Sequence, residues 1–493
     1  MALICEDRRL TYAQIDEMSN RLANAFCQNG VKDGDRVLFY LLNSAELVVS
    51  IFAAVKANAV FSVIDYANTF DTLRYITADC EATALVTHDL QVESAVRLLE
   101  EVPSLQFAIL TGGKAQSSAP KLWSFETIQE ECSPDLPPSR RIDRDLAYLL
   151  YTSGSTGNAK GVLTTHRSAL FTVESGNECF GLSADDIHTI PLPLSFAPGM
   201  NQFLQTLRVG GTVILEKSFA YPTMTLKRMA AEGATGLGSV PTILAFLLKM
   251  DLSRYDLSHL RYMISSGAAL APSIIEQIRQ KFPDISLFSM YGMAEASYIL
   301  CLDPAQLENR PSSVGKPFPG TQVWIVDGDG HPVGPNQIGE LVARGGHVRS
   351  GYWNNPTATA QRFRPGPLSD EQVCFSGDMF RMDEGGYHYF VARSDEIIKS
   401  GAKKVVPKEI ESALYSLDGV LEAAAIGVPD PVLGQVIKAF VVLDKRNQLS
   451  LTVEDILRYC HQALEAYKVP RQIEIWESLP KTSGGKIKKI DLA

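Results

Sequence analysis

No stretch of the 493-residue chain is built to cross a membrane. The longest apolar run, Leu47–Ile64, is interrupted by Ser50, Lys56 and Asn58, so it is expected to form a buried helix and then a strand. Met1–Arg9 alternates acidic and basic residues, which is not a signal peptide, and the closing Asp-Leu-Ala carries no peroxisomal or lipidation address. The eight cysteines stand far apart, with no Cys-x-x-Cys pair and no accompanying His cluster. That spacing argues against a zinc site or a disulfide framework and for reduced thiols in a cytoplasmic protein. Positive charge is also in deficit: 46 Lys and Arg face 56 Asp and Glu, a net charge of −10. An acidic surface repels polyphosphate polymers at long range, so nucleic acid is not an expected partner, although a single nucleotide needs only a local pocket. Internal repeats and low-complexity tracts are lacking too.

The chain does have enough apolar material, 45 % of its residues, for more than one core. Thr11 and Gln14 form a capping box ahead of Ile15, Met18, Leu22 and Phe26 at helical spacing, with Gly30 as a stop. A strand over 36–41, a helix over about 45–57 and a strand over about 59–64 follow. Such alternation predicts an α/β fold with mostly parallel sheets covered by helices. The Ser-, Pro- and charge-rich segment 117–141 reads as a surface connection. After Arg393 the texture changes: a helix near 408–416, strands near 420–427 and 437–443, a helix near 452–466 and a strand near 472–476 make a compact α+β module. The expected division is 1–393 and 394–493.

The strand-like Leu146–Tyr151 runs into Thr152-Ser153-Gly154-Ser155-Thr156-Gly157, then Lys160 and Gly161. Small residues let backbone N–H groups converge on an anion, hydroxyls add donors and Lys160 adds charge, a phosphate-holding design. It is not the Walker arrangement, and Gly485-Lys486 fails that test as well because Ile487 follows.

With this loop, further motifs stand in order along almost the whole chain: Ser265–Leu270, Tyr291-Gly-Met-Ala-Glu295, Gly339-Glu-Leu341 with Gly351-Tyr-Trp353, Ser376-Gly-Asp378, Arg393-Ser-Asp395 and Pro480–Lys486. Together they resemble the adenylate-forming enzymes: acyl-CoA synthetases, nonribosomal-peptide adenylation domains and beetle luciferases. The resemblance implies a large N-terminal domain that binds ATP and a carboxylic acid, and a small mobile C-terminal domain. It assigns Thr152–Gly157, Lys160, Gly267, Ala268 and Gly292 to nucleotide binding, Tyr291 to stacking on adenine, and Asp378, assisted by Arg393, to the ribose. Glu295 corresponds to a Mg²⁺ ligand, a hard oxygen donor suited to a cation that bridges phosphates. Lys486 corresponds to the lysine that joins the carboxylate to the α-phosphate. Asp395 matches the hinge about which the small domain turns, and Lys399 matches a lysine that supports the second conformation, in which a thiol takes the acyl group and AMP leaves. No general base is required in the first step, because a carboxylic acid is already ionised at pH 7.

The resemblance places the acid pocket at Pro191–Met200, with Phe196 as an aromatic gate and Ala197, Met200, Gly267, Ala268 and Met293 as apolar lining. Ala197 stands where amino-acid-activating members carry an Asp for the α-ammonium group, and a buried ammonium without such a partner is costly, on the order of several kcal/mol. The sequence thus implies an AMP-forming acid–thiol ligase for a non-α-amino acyl or aryl acid, with coenzyme A or a carrier-protein phosphopantetheine arm as acceptor. The alternative is a free-standing adenylation enzyme that loads an amino or related acid onto a separate carrier protein. A catalytically silent relative and a luciferase-like oxygenase are more distant alternatives. Three positions depart from the family pattern: Ala294 stands where threonine is frequent, Ala392 and Ala402 both stand where glycine is usual, and the methyl of Ala402 narrows a close approach to the pantetheine arm.

Overall fold

The opening helix forms where the sequence marks it. Tyr12–Gln28 is capped by Thr11, whose hydroxyl accepts from the Gln14 N–H while the Gln14 side chain accepts from the Thr11 N–H. Its buried face carries Ile15, Leu22 and Phe26, and Gly30 follows at φ +93°. The next elements are the strand Arg36–Tyr40, the helix Ala45–Lys56 and the strand Val60–Val63, as the apolar periodicity predicts. The computed structural model describes residues 1–113, 121–152, 159–268, 270–394, 396–400, 403–431, 434–444, 451–481 and 487–492, without the side chains of Lys399, Lys404 and Ile490. These fall into two units, Met1–Val323 with Ala343–Phe375, and Trp324–Val342 with Ser376–Ala493. Among the described residues no helix is long and apolar enough to cross a membrane.

The first unit contains two sheets. In the seven-stranded one the order is Leu122–Ser124, Phe107–Thr111, Ala82–His88, Arg36–Tyr40, Val60–Val63, Leu146–Thr152, Lys160–Thr165. Its pairs are parallel except the last, Leu146–Thr152 with Lys160–Thr165. The nine-stranded sheet runs from Lys316–Pro317 through Ser297–Leu302, Ser286–Met293, Tyr262–Ser265, Gly236–Ser239, Ile187–Ile190, Thr212–Leu215 and Leu3–Cys5 to Arg8–Leu10. It is parallel in the middle and antiparallel at both edges. Strands buried on both faces need near-continuous apolar runs, and Val37–Phe39 and Ala84–Val86 supply them. Functional loops in such sheets gather at the C-terminal ends of parallel strands.

One expectation is corrected. Within 117–141, Leu122–Ser124 is an edge strand and Phe125–Glu131 a helix. The Ser124 hydroxyl caps that helix by accepting from the Thr127 N–H, and Phe125 and Ile128 are buried. Their apolar spacing is one turn long and lies between polar neighbours, too short a signal to read as a helix.

In the second unit, Gly434–Leu443 pairs antiparallel with Val420–Asp430 and parallel with Gln472–Trp476. The helices Pro407–Tyr415 and Val453–Ala463 bury Ile410, Leu414, Ile456 and Cys460 against this sheet. That is the α+β texture the sequence predicts for the C-terminal part.

Candidate active site

The loop with the phosphate-holding composition joins two strands of the seven-stranded sheet. Thr152 and Lys160 are directly opposite in the antiparallel register, so both ends of the loop are fixed. Residues Ser153, Gly154, Ser155, Thr156 and Gly157 lie outside the described residues. Beneath Lys160, Gly161 presses on Tyr151: a Cβ there would meet the ring at 3.0 Å. The Tyr151 hydroxyl donates to Asp79 Oδ2 at 2.6 Å, and burial, with Cys80 and Asp79 nearby, pushes its pKa far up, so it stays a neutral donor.

The free side of Lys160–Thr165 is covered by the Gly351-Tyr-Trp353 segment. The Leu163 N–H donates to Gly351 O at 2.9 Å, and the Trp353 N–H to Gly161 O at 2.7 Å. The Trp353 indole donates to Asp79 O at 3.0 Å. These bonds set Tyr352 between two candidate residues. Its hydroxyl donates to Glu295 Oε1 at 2.6 Å, and the Lys160 ammonium lies 5.6 Å from its ring centroid. The Glu295 carbonyl accepts from the Arg349 N–H at 2.9 Å. Glu295 is only 9 % exposed.

Glu295 stands in the turn between the antiparallel strands Ser286–Met293 and Ser297–Leu302, whose register shifts at Tyr291/Gly292. Such a shift re-aims side chains locally. The turn is tight: Ser297 has φ +48°, and its carbonyl oxygen sits 2.0 Å from where a Cβ on Gly292 would be. Tyr291, Gly292 and Met293 are half-buried.

The predicted acid-pocket stretch leads into the helix Ala197–Arg208. Phe196 is at its N-cap without a side-chain cap, and Pro198 preorganises the first turn. Phe196 and Ala197 are half-buried, whereas Met200, at 1 % exposure, is a core residue. Gly199 admits no side chain, since a Cβ would meet Pro193 O at 2.4 Å. Asn43 ties the stretch down by donating to Leu192 O and accepting from the Leu194 N–H. One turn past Ala197, Asn201 Nδ2 donates to Ser297 Oγ at 2.7 Å, and Ser297 is the register partner of Met293. The helix Ala197–Arg208 is thereby joined to the turn that bears Glu295. Gly267, at φ +84°, and the exposed Ala268 follow the strand Tyr262–Ser265, whose neighbour is Ser286–Met293.

In the second unit, Asp378 and Arg393 are directly opposite on the hairpin of Gln372–Met382 and His388–Arg393. The Asp378 N–H donates to Ser376 Oγ at 3.1 Å, and the Gly377 N–H to Glu340 Oε1 at 2.7 Å. The hinge candidate Asp395, the departure Ala402 and the lysine Lys486 lie outside the described residues, as does the side chain of Lys399, which is on the strand Ile398–Ser400. Sequence reasoning assigned no role to Asn43, Asn201 or Tyr352. For Tyr352 a signal existed in the Gly-Tyr-Trp motif, but the bond that gives it meaning spans 57 positions.

A family model described as AMP-binding enzyme matches residues 1–353, and one described as AMP-binding enzyme C-terminal domain matches 409–486. Among curated proteins, a feruloyl-CoA synthase of Amycolatopsis sp. is 32 % identical over 484 residues, covering 97 % of this chain and 92 % of that protein. Among solved structures, ATP-bound MatB from Rhodopseudomonas palustris superposes with a TM-score of 0.90 at 26 % identity, covering 100 % of this chain and 94 % of that one. The o-succinylbenzoate CoA synthetase MenE from Bacillus subtilis, in complex with ATP and magnesium ion, gives 0.85 at 25 % identity over 99 % and 95 %.

Proposed function

The chain belongs to the AMP-binding enzyme family, and from that premise we propose that it is an AMP-forming ligase joining a non-α-amino acyl or aryl acid to coenzyme A through an acyl-adenylate. The observation that carries the site assignment is the meeting of Lys160 and Glu295 on one tyrosine, Tyr352. A cation at the end of a small-residue loop and a nearly buried carboxylate suit a metal–polyphosphate substrate. Relatives support the acceptor: the feruloyl-CoA synthase, an acetyl-coenzyme A synthetase of Bacillus subtilis and MenE are all named for coenzyme A chemistry.

Mg²⁺ fits the donors present. Glu295 Oε1 already accepts from Tyr352, which leaves Oε2 as a hard anionic oxygen. When bound, Mg²⁺ would neutralise charge on the phosphates as pyrophosphate departs. The chain's own residues supply the rest. Thr152–Gly157 and Lys160 hold the phosphates, Tyr291 stacks on adenine, and Asp378 with Arg393 takes the ribose, a carboxylate being suited to accept from two hydroxyls. Lys486 offsets the repulsion between the substrate carboxylate and the α-phosphate. Its loss would lower the adenylation rate roughly 10²–10³-fold, the scale seen for other preorganised donors. Residues 394–493 form the mobile part, turning at Asp395, with Lys399 supporting thioester formation. Phe196 gates the acid, which packs against Ala197, Gly267 and Met293. Ala197 offers an α-ammonium group no charge partner, which weighs against amino acids.

ATP–pyrophosphate exchange across a panel of acids tests this reading, followed by mass spectrometry of the thioester with coenzyme A and with a phosphopantetheinylated carrier protein. Exchange with aryl or acyl acids and a coenzyme A thioester are expected. Exchange restricted to α-amino acids, or acyl transfer to the carrier alone, overturns it in favour of a free-standing adenylation enzyme.

A further inference from the structure

Tyr352 has more contacts with the proposed phosphate end than any sequence motif requires. Its backbone is bridged to Val162, two residues past Lys160. Its N–H donates to the Thr359 hydroxyl at 2.9 Å, which fixes it to the helix Pro356–Arg362. Its ring meets Phe363 edge-on at 5.7 Å, and its hydroxyl donates to Glu295 at 2.6 Å. At the end of that helix Arg362 is held by a bond from Nη1 to Phe375 O at 2.9 Å. Burial alone would lower the Arg362 pKa, but the Glu295 carboxylate and the Tyr352 hydroxyl outweigh it, and the guanidinium is raised above the ordinary arginine value.

We propose that Tyr352, backed by Arg362, is a positioning residue that fixes the rotamer of Glu295 and so aims its second oxygen at the metal of the Mg·ATP complex. The inference rests on the reading of Glu295 as a Mg²⁺ ligand. One bond reaches the carboxylate itself, at Oε1, while the backbone beneath it is held by the Arg349 N–H on the Glu295 carbonyl and by the Asn201–Ser297 bond two residues on. A free Glu side chain samples several rotamers, and ordering it at the moment of binding would cost affinity. A carboxylate locked beforehand avoids that cost. Substitution at Tyr352 should therefore act on metal-dependent nucleotide binding rather than on the acid.

Tyr352→Phe tests this, because it keeps the ring, the Phe363 contact and the stacking partner of Lys160 while removing the donor. The readout is calorimetric binding of ATP to the full-length protein, with Mg²⁺ and with EDTA, beside Glu295→Gln and the double variant. The expected result is roughly tenfold weaker binding of Mg·ATP in Tyr352→Phe, the scale of one hydrogen bond to a charged group. Metal-free ATP should bind as in wild type, and the double variant should be no worse than Glu295→Gln. Arg362→Gln should shift the Mg²⁺-dependent affinity in the same direction by less. If Glu295→Gln leaves the metal dependence intact, the reading of Glu295 fails. If Glu295→Gln removes that dependence but Tyr352→Phe does not weaken it, or if the two effects simply add, the positioning role is refuted.

Discussion

Replacing Gly292 by alanine is the sharpest single perturbation of the site. The added Cβ would lie 2.0 Å from Ser297 O and 3.0 Å from its carbonyl carbon, whereas ordinary contact begins near 3.4 Å. The obstacle is backbone, so no side-chain rotation relieves it. The Ser297 carbonyl must retreat by more than an ångström, and Ser297 is held in place by Asn201 and by its own left-handed conformation at φ +48°. Overpacking of this kind costs about 1–3 kcal/mol. A unit with several hundred residues survives that, so the fold should persist with melting lowered by only a few degrees. Activity should suffer far more. The displaced strand begins two residues past Glu295, and a misplacement near 1 Å in a catalytic constellation costs about 10²-fold. ATP–pyrophosphate exchange at saturating acid, with thermal melting of the same preparations, measures both effects. Gly334→Ala is the control, because a Cβ there meets nothing within 4 Å. Exchange within threefold of wild type in a folded Gly292→Ala protein would refute the claim that this turn sets the Glu295 geometry.

Lys486→Ala should abolish adenylation and spare thioester formation from supplied acyl-AMP, while Lys399→Ala does the reverse; equal failure of both in both half-reactions removes the division of roles between the two lysines. Two buried histidines should shape acid stability. Burial lowers His188 to about 4 and His347 to about 3, in the latter case with the Arg349 charge assisting, so both stay neutral in the fold. Unfolding restores values near 6.5, and the unfolded chain then binds protons the folded chain refuses. Stability from these groups is therefore complete above about pH 6.5 and is lost as pH falls, by roughly 3 kcal/mol at pH 4 for His188 alone. Among the described residues the ring nitrogens of His347 have no hydrogen-bond partner, and the ring stacks on Phe171, so His347→Phe should flatten the acid limb of a urea-midpoint profile. An unchanged limb would show that the histidine does not resist protonation there.

The sequence made the scaffold and the site legible to different depths. Local signals carried well: the Thr11–Gln14 cap, the strand Leu146–Thr152 and the helix Ala45–Lys56 each rest on residues within one turn or one strand. Segment 117–141 misled because the apolar residues that pack there, Leu122, Phe125 and Ile128, stand among many polar ones. The resemblance assigned Asp378 and Arg393 to one ribose without saying how they are placed, and the structure sets them opposite each other in an antiparallel register. What stayed hidden was the support around Glu295. Nothing in the spacing of the residues says that 201 meets 297 or that 352 meets 295, because those bonds are products of the fold. Asn201 reads as a polar interruption in an otherwise ordinary helix until Ser297 is seen opposite it.

That hidden support also bears on how the two halves of the chemistry are linked. The turn 292–297 is held on one side by Asn201, from the helix that begins at the predicted acid gate, and on the other by Tyr352, from the segment that covers the Lys160 strand. A bond at 2.7 Å and another at 2.6 Å, two residues apart, leave the turn little room to answer one neighbour without disturbing the other. Asn201 is 2 % exposed and lies beside Met200, at 1 %. A substitution there meant to admit a different acid would act on packed atoms, which transmit strain instead of absorbing it. On the proposed roles, acid selectivity and metal geometry would both lean on the turn that Asn201 and Tyr352 hold. Changes aimed at the acid should be sought at Phe196 and Ala197, which are half-buried and precede the bonded part of the helix, because the bonds that hold Glu295 do not run through them.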